Sequence, residues 1–200
     1  MTITYELGNS LYVNITNRCS NSCSFCVRND HDGVNGKDNL WLDREPTIEE
    51  IKKDFETRDL EKYDGVVFCG YGEPMMRTYD LLEIAKWLKE KMPDLQIRIN
   101  TNGQANLICG EDITPKLEGL IDCVSISLNG ENAEKYQAVC YSDYGEAAYP
   151  ALLEFAKLAK QYVPKVVFTV VDIMEKDEIE ACRKIAEDCG VSFRVREFIN

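Results

Sequence analysis

The run Cys19-Ser-Asn-Ser-Cys23-Ser-Phe-Cys26 puts three thiols within eight residues, directly after the apolar stretch 11–16. Three cysteines that close can converge on one metal centre, and the surrounding fold must then leave room for it. Thiolates are soft ligands that favour iron–sulfur clusters, zinc or Cu(I). A cubic 4Fe–4S cluster normally takes four cysteines, one per iron. This loop offers three. Without a fourth thiol one iron stays open, as a catalytic zinc keeps a vacant position where a structural zinc does not. Two other readings use the same loop. A structural zinc site would draw on Cys19, Cys23, Cys26 and His31, the one histidine of the chain, although such sites are usually built from two separated ligand pairs. A ferredoxin-like electron carrier would need a fourth ligand, with Cys69 and Cys109 as the nearest candidates.

The chain alternates short β-branched runs with amphipathic helical stretches, the pattern of βα units on a parallel sheet. Strands are expected at 11–16, 64–69, 96–100, 122–127, 165–171 and 191–198. The run 165–171 is continuously β-branched or aromatic after its lysine and suits burial on both faces. Between the first two strands lie the cysteine loop and a long polar stretch, 27–39, with Gly33 and Gly36. Loops of that length in a compact domain are usually functional or disordered, and this one reads as a cover over the cluster, anchored by Trp41 and Leu42.

Thr47 and Glu50 form a capping box ahead of Ile48, Ile51 and Phe55, which recur at helical spacing. A second helix carries Leu81, Leu82, Ala85, Leu88 and Met92 on one side and stops before Pro93. Thr114-Pro115 opens a short helix, a further helix covers about 150–162, and the segment 131–145 has no clear periodicity. The last helix aligns Ile179, Cys182, Ile185, Ala186 and Cys189 and closes at Gly190. Cys182 and Cys189 read as core filling, because a free cysteine behaves as a small buried hydrophobe. Cys69 and Cys123 take the same reading, while Cys109 and Cys140 stay open. One cluster is therefore expected, without auxiliary clusters.

With 200 residues the chain predicts one domain over 1–200, its cluster loop at 17–40, large enough for a substantial core. No apolar stretch approaches the roughly 20 residues that span a bilayer, and the N-terminus lacks a basic region and a signal-like apolar core. The nine cysteines do not sit at the turn spacings of a disulfide framework, which points to a reducing compartment, hence the cytoplasm. A formal charge of −12 repels phosphate backbones and argues against non-specific nucleic-acid binding, though not against a local basic pocket.

Cys-x3-Cys-x2-Cys with Phe25 before the last cysteine, placed after a first strand, resembles the signature of the radical SAM superfamily. The run Val66-Val-Phe-Cys-Gly70-Tyr-Gly-Glu73-Pro74 resembles that family's Gly-Gly-Glu motif, with Tyr71 in place of the second glycine. Taken with Arg98-Ile-Asn-Thr-Asn-Gly103, Ser125-Ile-Ser-Leu-Asn129 and Phe193-Arg-Val-Arg196, these runs are most similar to the small TatD-linked radical SAM proteins, and the resemblance covers essentially the whole chain. It implies an α/β fold, a partial, open TIM-type barrel of about six βα units with parallel strands. It also implies one 4Fe–4S cluster on Cys19, Cys23 and Cys26, with S-adenosylmethionine (SAM) bound through its amino and carboxylate groups to the open iron.

By the same resemblance the SAM-binding set is Phe25, Gly70, Tyr71, Gly72, Glu73, Asn100, Ser127 and Asn129. Glu73 has a second reading as a cap on the following helix, and the asparagines and serine as strand-end turn residues. Thr169, Asp172, Arg194 and Arg196 also lie at or near strand ends, and either arginine suits a carboxylate. The implied reaction begins with an electron from an external flavodoxin or ferredoxin-type donor. Reductive cleavage of SAM then gives a 5′-deoxyadenosyl radical that takes hydrogen from a substrate. A small-molecule substrate fits a chain with no appended peptide-binding domain. An activase or modifying enzyme acting on a protein or nucleic acid, and a non-catalytic iron–sulfur or zinc protein, are the alternatives.

Overall fold

Period-two alternation in the short β runs decides the architecture, because it gives each strand one face for helices and one for something else. The computed structural model describes residues 1–29, 33 and 38–198. It contains one seven-stranded sheet: β1 Thr4–Leu7, β2 Ser10–Val13, β3 Gly65–Phe68, β4 Ile97–Thr101, β5 Cys123–Ser127, β6 Lys165–Val171 and β7 Ser192–Arg196, hydrogen-bonded in chain order. Strands β2 to β7 are parallel; β1 pairs antiparallel with β2 through the register Thr4↔Val13 to Leu7↔Ser10. The order β1 to β7 leaves β7 unpaired with β1, so the barrel is open. Six parallel strands and the open barrel agree with the sequence-based expectation. The antiparallel β1 hairpin is an addition, made by a turn with Gly8 at φ 59°.

The helix-facing side of the sheet is apolar and sealed. Leu11, Val13, Val66, Phe68, Ile97, Ile99, Val124, Ile126, Phe168 and Val170 belong to one core with side chains from the helices. Those helices are α1 Ile48–Glu56, α2 Thr78–Lys91, α3 Ala105–Cys109, α4 Ala133–Cys140, α5 Ala148–Ala159 and α6 Lys176–Cys189. In α1 the expected capping box forms: Glu50 N donates to Thr47 Oγ1 at 3.2 Å and Thr47 N to Glu50 Oε2 at 2.9 Å. In α6, Cys182 and Cys189 fill the core as read, and Gly190 caps the helix at φ 67°.

Several local expectations shift. The undecided segment 131–145 contains α4, whose N-cap Asn132 accepts from Lys135 N at 2.9 Å. Its eight residues are too few for a legible period. The helix expected over 150–162 starts earlier, at Ala148, and ends at Ala159, while Thr114–Leu117 makes a 3-10 turn. Cys69 and Cys123 are half-buried and outside the core, a correction explained by strand parity: both fall on the face opposite Phe68 and Val124. The cover expected from the stretch 27–39 falls largely outside the described residues, as do His31 and Gly36. Its far end is anchored by Leu42, as expected, and by the fully buried Leu40; Trp41 is 41% exposed and packs edge-on against Tyr71. Among the described residues no helix is long and apolar enough to cross a membrane.

Thr47→Ala removes the α1 cap, and a loss of about 1 kcal/mol of folding free energy is expected. Urea unfolding followed by circular dichroism checks it; an unmoved midpoint would show that the cap contributes nothing.

Candidate active site

Ligands of parallel α/β folds bind at the carboxyl ends of the strands, and here the chain closes a cavity of about 250 Å³ at that end. All eleven residues singled out from sequence line it: Cys19, Cys23, Cys26, Phe25, Gly70, Tyr71, Gly72, Glu73, Asn100, Ser127 and Asn129. Of the further strand-end candidates only Arg196 does. Thr169 is buried and donates to Ile126 O at 3.3 Å, Asp172 accepts from Phe198 N at 2.8 Å, and Arg194 lies outside this lining.

The cysteine loop is fixed before any ligand is considered. Ser22 N donates to Cys140 O at 3.0 Å and Ser24 N to Val139 O at 2.9 Å, so the loop docks on the end of α4. Beneath it, Gln104 uses all four of its hydrogen-bonding sites. Its Oε1 accepts from Ser20 Oγ at 2.8 Å and Ser142 Oγ at 3.1 Å, and its Nε2 donates to Asn21 Oδ1 and Tyr136 Oη, both at 2.9 Å. Asn102 Nδ2 donates to Ser20 Oγ at 2.8 Å. Arg28 closes the other side, donating to the carbonyls of Asn17 and Tyr71 at 3.4 Å and of Asn21 at 3.3 Å. Sequence reasoning missed Gln104, Asn21 and Tyr136. The one sequence signal was an uninterrupted polar run, Thr101-Asn-Gly-Gln104, after a strand.

The glycine turn packs against this loop. A Cβ on Gly70 would lie 2.0 Å from Asn14 Oδ1, and one on Gly72 would lie 2.3 Å from Thr16 O and 2.5 Å from Arg18 O. Both positions therefore exclude any side chain, and Tyr71, between them, takes the space a second motif glycine would leave open. Glu73 is 4% exposed and caps the 3-10 turn Pro74–Arg77: its carboxylate accepts from Met75 N at 2.9 Å, Thr101 Oγ1 at 2.8 Å and Asn102 N at 2.6 Å. Burial raises its pKa while these three donors oppose the rise.

Burial also raises Cys19, to about 12, with the Glu73 charge adding to it, and raises Cys26. Cys23 moves the other way. Its contact with the thiol of the fully buried Cys140 pulls it below the ordinary thiol range and pushes Cys140 up. That contact gives Cys140, undecided from sequence, a place beside the loop. Among the described residues no three His, Cys, Asp or Glu side chains converge tightly enough to hold a single ion; the three loop thiols instead lie around one cavity. Two buried amide oxygens, Asn100 Oδ1 and Asn129 Oδ1, lack hydrogen-bond partners on the same lining. The donor set therefore fits a polynuclear sulfur-ligated centre beside a polar organic ligand.

A family model described as the Radical SAM superfamily matches residues 13–189, which takes in the cysteine loop, the glycine turn and strands β3 to β6. The chain belongs to the radical SAM superfamily. That is a superfamily of enzymes that use a 4Fe–4S cluster and SAM. Among its relatives, a probable GTP 3′,8-cyclase of Methanocaldococcus jannaschii is 30% identical over 195 residues, covering 95% of this chain and 59% of that protein. The chain thus spans less than two thirds of that curated relative. Streptococcus suis SuiB, solved with its precursor peptide SuiA, superposes with a TM-score of 0.68 at 14% identity, over 98% of this chain and 40% of SuiB. A radical SAM methyltransferase from Sphaerobacter thermophilus gives 0.64 at 14% identity, over 97% and 68%. At these identities the solved structures share the fold, an open, mostly parallel sheet.

Gln104→Ala removes a hydrogen-bond partner from four groups at once, three of them hydroxyls and two of them on the cysteine loop. A loss of at least about 2 kcal/mol is expected from leaving buried polar groups unpaired. Urea denaturation measures it, and a wild-type midpoint would mean that water replaces the side chain.

Proposed function

We propose that this chain is a radical SAM enzyme in which Cys19, Cys23 and Cys26 each bind one iron of a single 4Fe–4S cluster, and that the adjoining cavity binds SAM. The observation that carries this is the convergence on one cavity of three half-buried thiols, a glycine turn and two unpartnered amide oxygens. When bound, the cluster and SAM supply one electron and a 5′-deoxyadenosyl radical able to remove a hydrogen atom from substrate. The protein's own part is to bind, orient and shield.

The Gly70 and Gly72 backbone carbonyls and the Glu73 carboxylate would receive the ammonium group of SAM, a cation that would lower the cost of keeping Glu73 ionised. Asn129 is held at φ 48° with its amide N–H toward Cys140, which leaves Oδ1 for a ligand hydroxyl. Asn100 does the same with its N–H toward Cys69. Ser127 offers a hydroxyl to the ribose or carboxylate, and Phe25 closes the cavity beside Asn129 with an apolar wall. The Cys140 thiol positions Cys23 and hydrogen-bonds its sulfur, one of the ways a protein sets a cluster potential.

Within the superfamily we infer the small TatD-linked group, on the four sequence runs that carry that resemblance. A single functional unit over 1–200, a cytoplasmic setting, a small-molecule substrate and a flavodoxin or ferredoxin-type electron donor complete the reading. The acidic net charge of −12 supports the absence of non-specific nucleic-acid binding.

Anaerobic reconstitution, reduction and EPR with and without SAM, with 5′-deoxyadenosine assayed on the same sample, test the proposal. A signal of the reduced cluster that shifts on adding SAM, with deoxyadenosine formed, is expected. Cys23→Ala should lose both signals and fall to background. Deoxyadenosine formation by that variant, or a wild-type centre indifferent to SAM, would reject the assignment.

A further inference from the structure

The inner face of the sheet carries charge that the chemistry above does not use. Cross-strand register places Tyr12, Arg98 and Cys123 in one row, and Ser127, Thr169 and Arg194 in another, all on the face away from the helices. Arg98 from β4 and Arg194 and Arg196 from β7 line one hollow of about 380 Å³ together with Leu7 and Tyr12. These last two come from the opposite edge of the sheet, so the hollow lies where the open barrel curls toward itself. It shares Asn100, Arg196 and Glu197 with the thiol-lined cavity.

In a chain of net charge −12, three clustered guanidinium groups that form no ion pair among the described residues are out of pattern. Arginine ion pairs among the described residues use Arg18, Arg44, Arg58, Arg77 and Arg183. None involves Arg98, Arg194 or Arg196, although Glu197 is on the same lining. Arg98 donates to Tyr12 Oη at 3.1 Å, and the buried Nε atoms of Arg98 and Arg196 have no partner. Burial, with Arg194 and Arg98 adjacent, holds Arg196 below the ordinary arginine range. A buried, unpaired charge is costly and is normally answered by a counter-ion. For the buried Nε atoms of Arg98 and Arg196 no ion-pair partner comes from the described residues, which leaves them open to an anion that arrives with a ligand.

We propose that Arg98, Arg194 and Arg196 form the anion-binding part of the substrate site, and that the substrate carries a phosphate group. Guanidinium forks match carboxylate and phosphate alike. SAM brings a single carboxylate, and only Arg196 lines its proposed cavity. Arg98 and Arg194 are left for a second anion, and a phosphate dianion, with three terminal oxygens, accepts from several forks where a carboxylate has two. A phosphate held here leaves the rest of a small molecule to reach through the shared wall. The inference rests on the proposed function for one point only, that the molecule bound is the substrate.

The test is calorimetry on the anaerobically reconstituted protein, with pyrophosphate and malonate as probes, each with and without SAM. Wild-type should bind pyrophosphate saturably with SAM present, and more tightly than malonate. Arg194→Gln and Arg98→Gln should weaken it by about tenfold or more each, with Arg194→Lys intermediate, as expected for loss of a bidentate fork. Arg194 is solvent-exposed on the edge strand, so its variants fold, and circular dichroism verifies this. The EPR shift caused by SAM should persist in both glutamine variants. No saturable pyrophosphate binding, tighter malonate binding, displacement of SAM by pyrophosphate, or an equal loss of SAM affinity in the variants would each overturn the proposal. The two readings fail separately. A protein that cleaves SAM but ignores pyrophosphate loses the anion site alone. One that binds pyrophosphate without cleaving SAM loses the enzymatic reading, and the anion is then not a substrate.

Discussion

The buried hydrogen bonds around Gln104 hold the site's parts in one place. A glutamine amide has two donors and two acceptor positions, and here all four reach different segments: Ser20 and Asn21 in the cysteine loop, Tyr136 in α4, and Ser142 just beyond it. Glu73 plays the corresponding role from the other side, joining the glycine turn to the end of β4 through Thr101 and Asn102. Low dielectric makes such a network stringent, since each unmade bond is penalised in full. The loop thiols therefore lie against a prearranged wall, and a bound ligand has little loop ordering left to impose.

The sheet explains why that wall has a cavity in front of it. One face of each parallel strand is consumed by the helical core, and the other carries Tyr12, Cys69, Arg98, Asn100, Ser125, Ser127 and Arg196. In a closed eight-stranded barrel the inner positions fill with layers of branched apolar side chains. Here the barrel is open and the inner face mixes these polar residues with Val67, Val167 and Val171, so the interior keeps a hollow with hydrogen-bonding groups on its wall. The antiparallel β1 covers the outer edge of β2 and supplies Leu7 to the rim.

Electrostatics divides this interior into two. Around the thiols the fixed charges are the Glu73 carboxylate and, behind the loop, Arg28, whose donors are spent on backbone carbonyls. Toward β7 the field is positive, set by three arginines that no carboxylate of the described residues pairs. A small zwitterion such as SAM and a second, anionic molecule would thus meet different surroundings within one connected space.

Much of this was legible in the sequence. Hydrophobic period fixed the six parallel strands and the principal helices, the Thr47–Glu50 spacing fixed a helix start, and Gly190 fixed a helix end, because these depend on local geometry alone. The eleven candidate residues were singled out through motif resemblance, and all of them line one cavity. What stayed hidden depends on partners distant in sequence. Gln104 is one more polar residue until Ser20, 84 positions away, is beside it. Cys69 read as core because cysteine is a hydrophobe, yet it follows Phe68 at the end of β3 and so turns to the opposite, inner face. Cys140 had no role until α4 brought it against Cys23. The three arginines read as isolated strand residues until β4 and β7 curled toward one another. Sequence by itself determined which segments form strands and helices and which carry chemistry, since a side chain's period and type are local properties. Only the tertiary structure decided which polar groups are buried, which find partners and which are left facing a cavity, since pairing and desolvation exist only between residues that folding brings together.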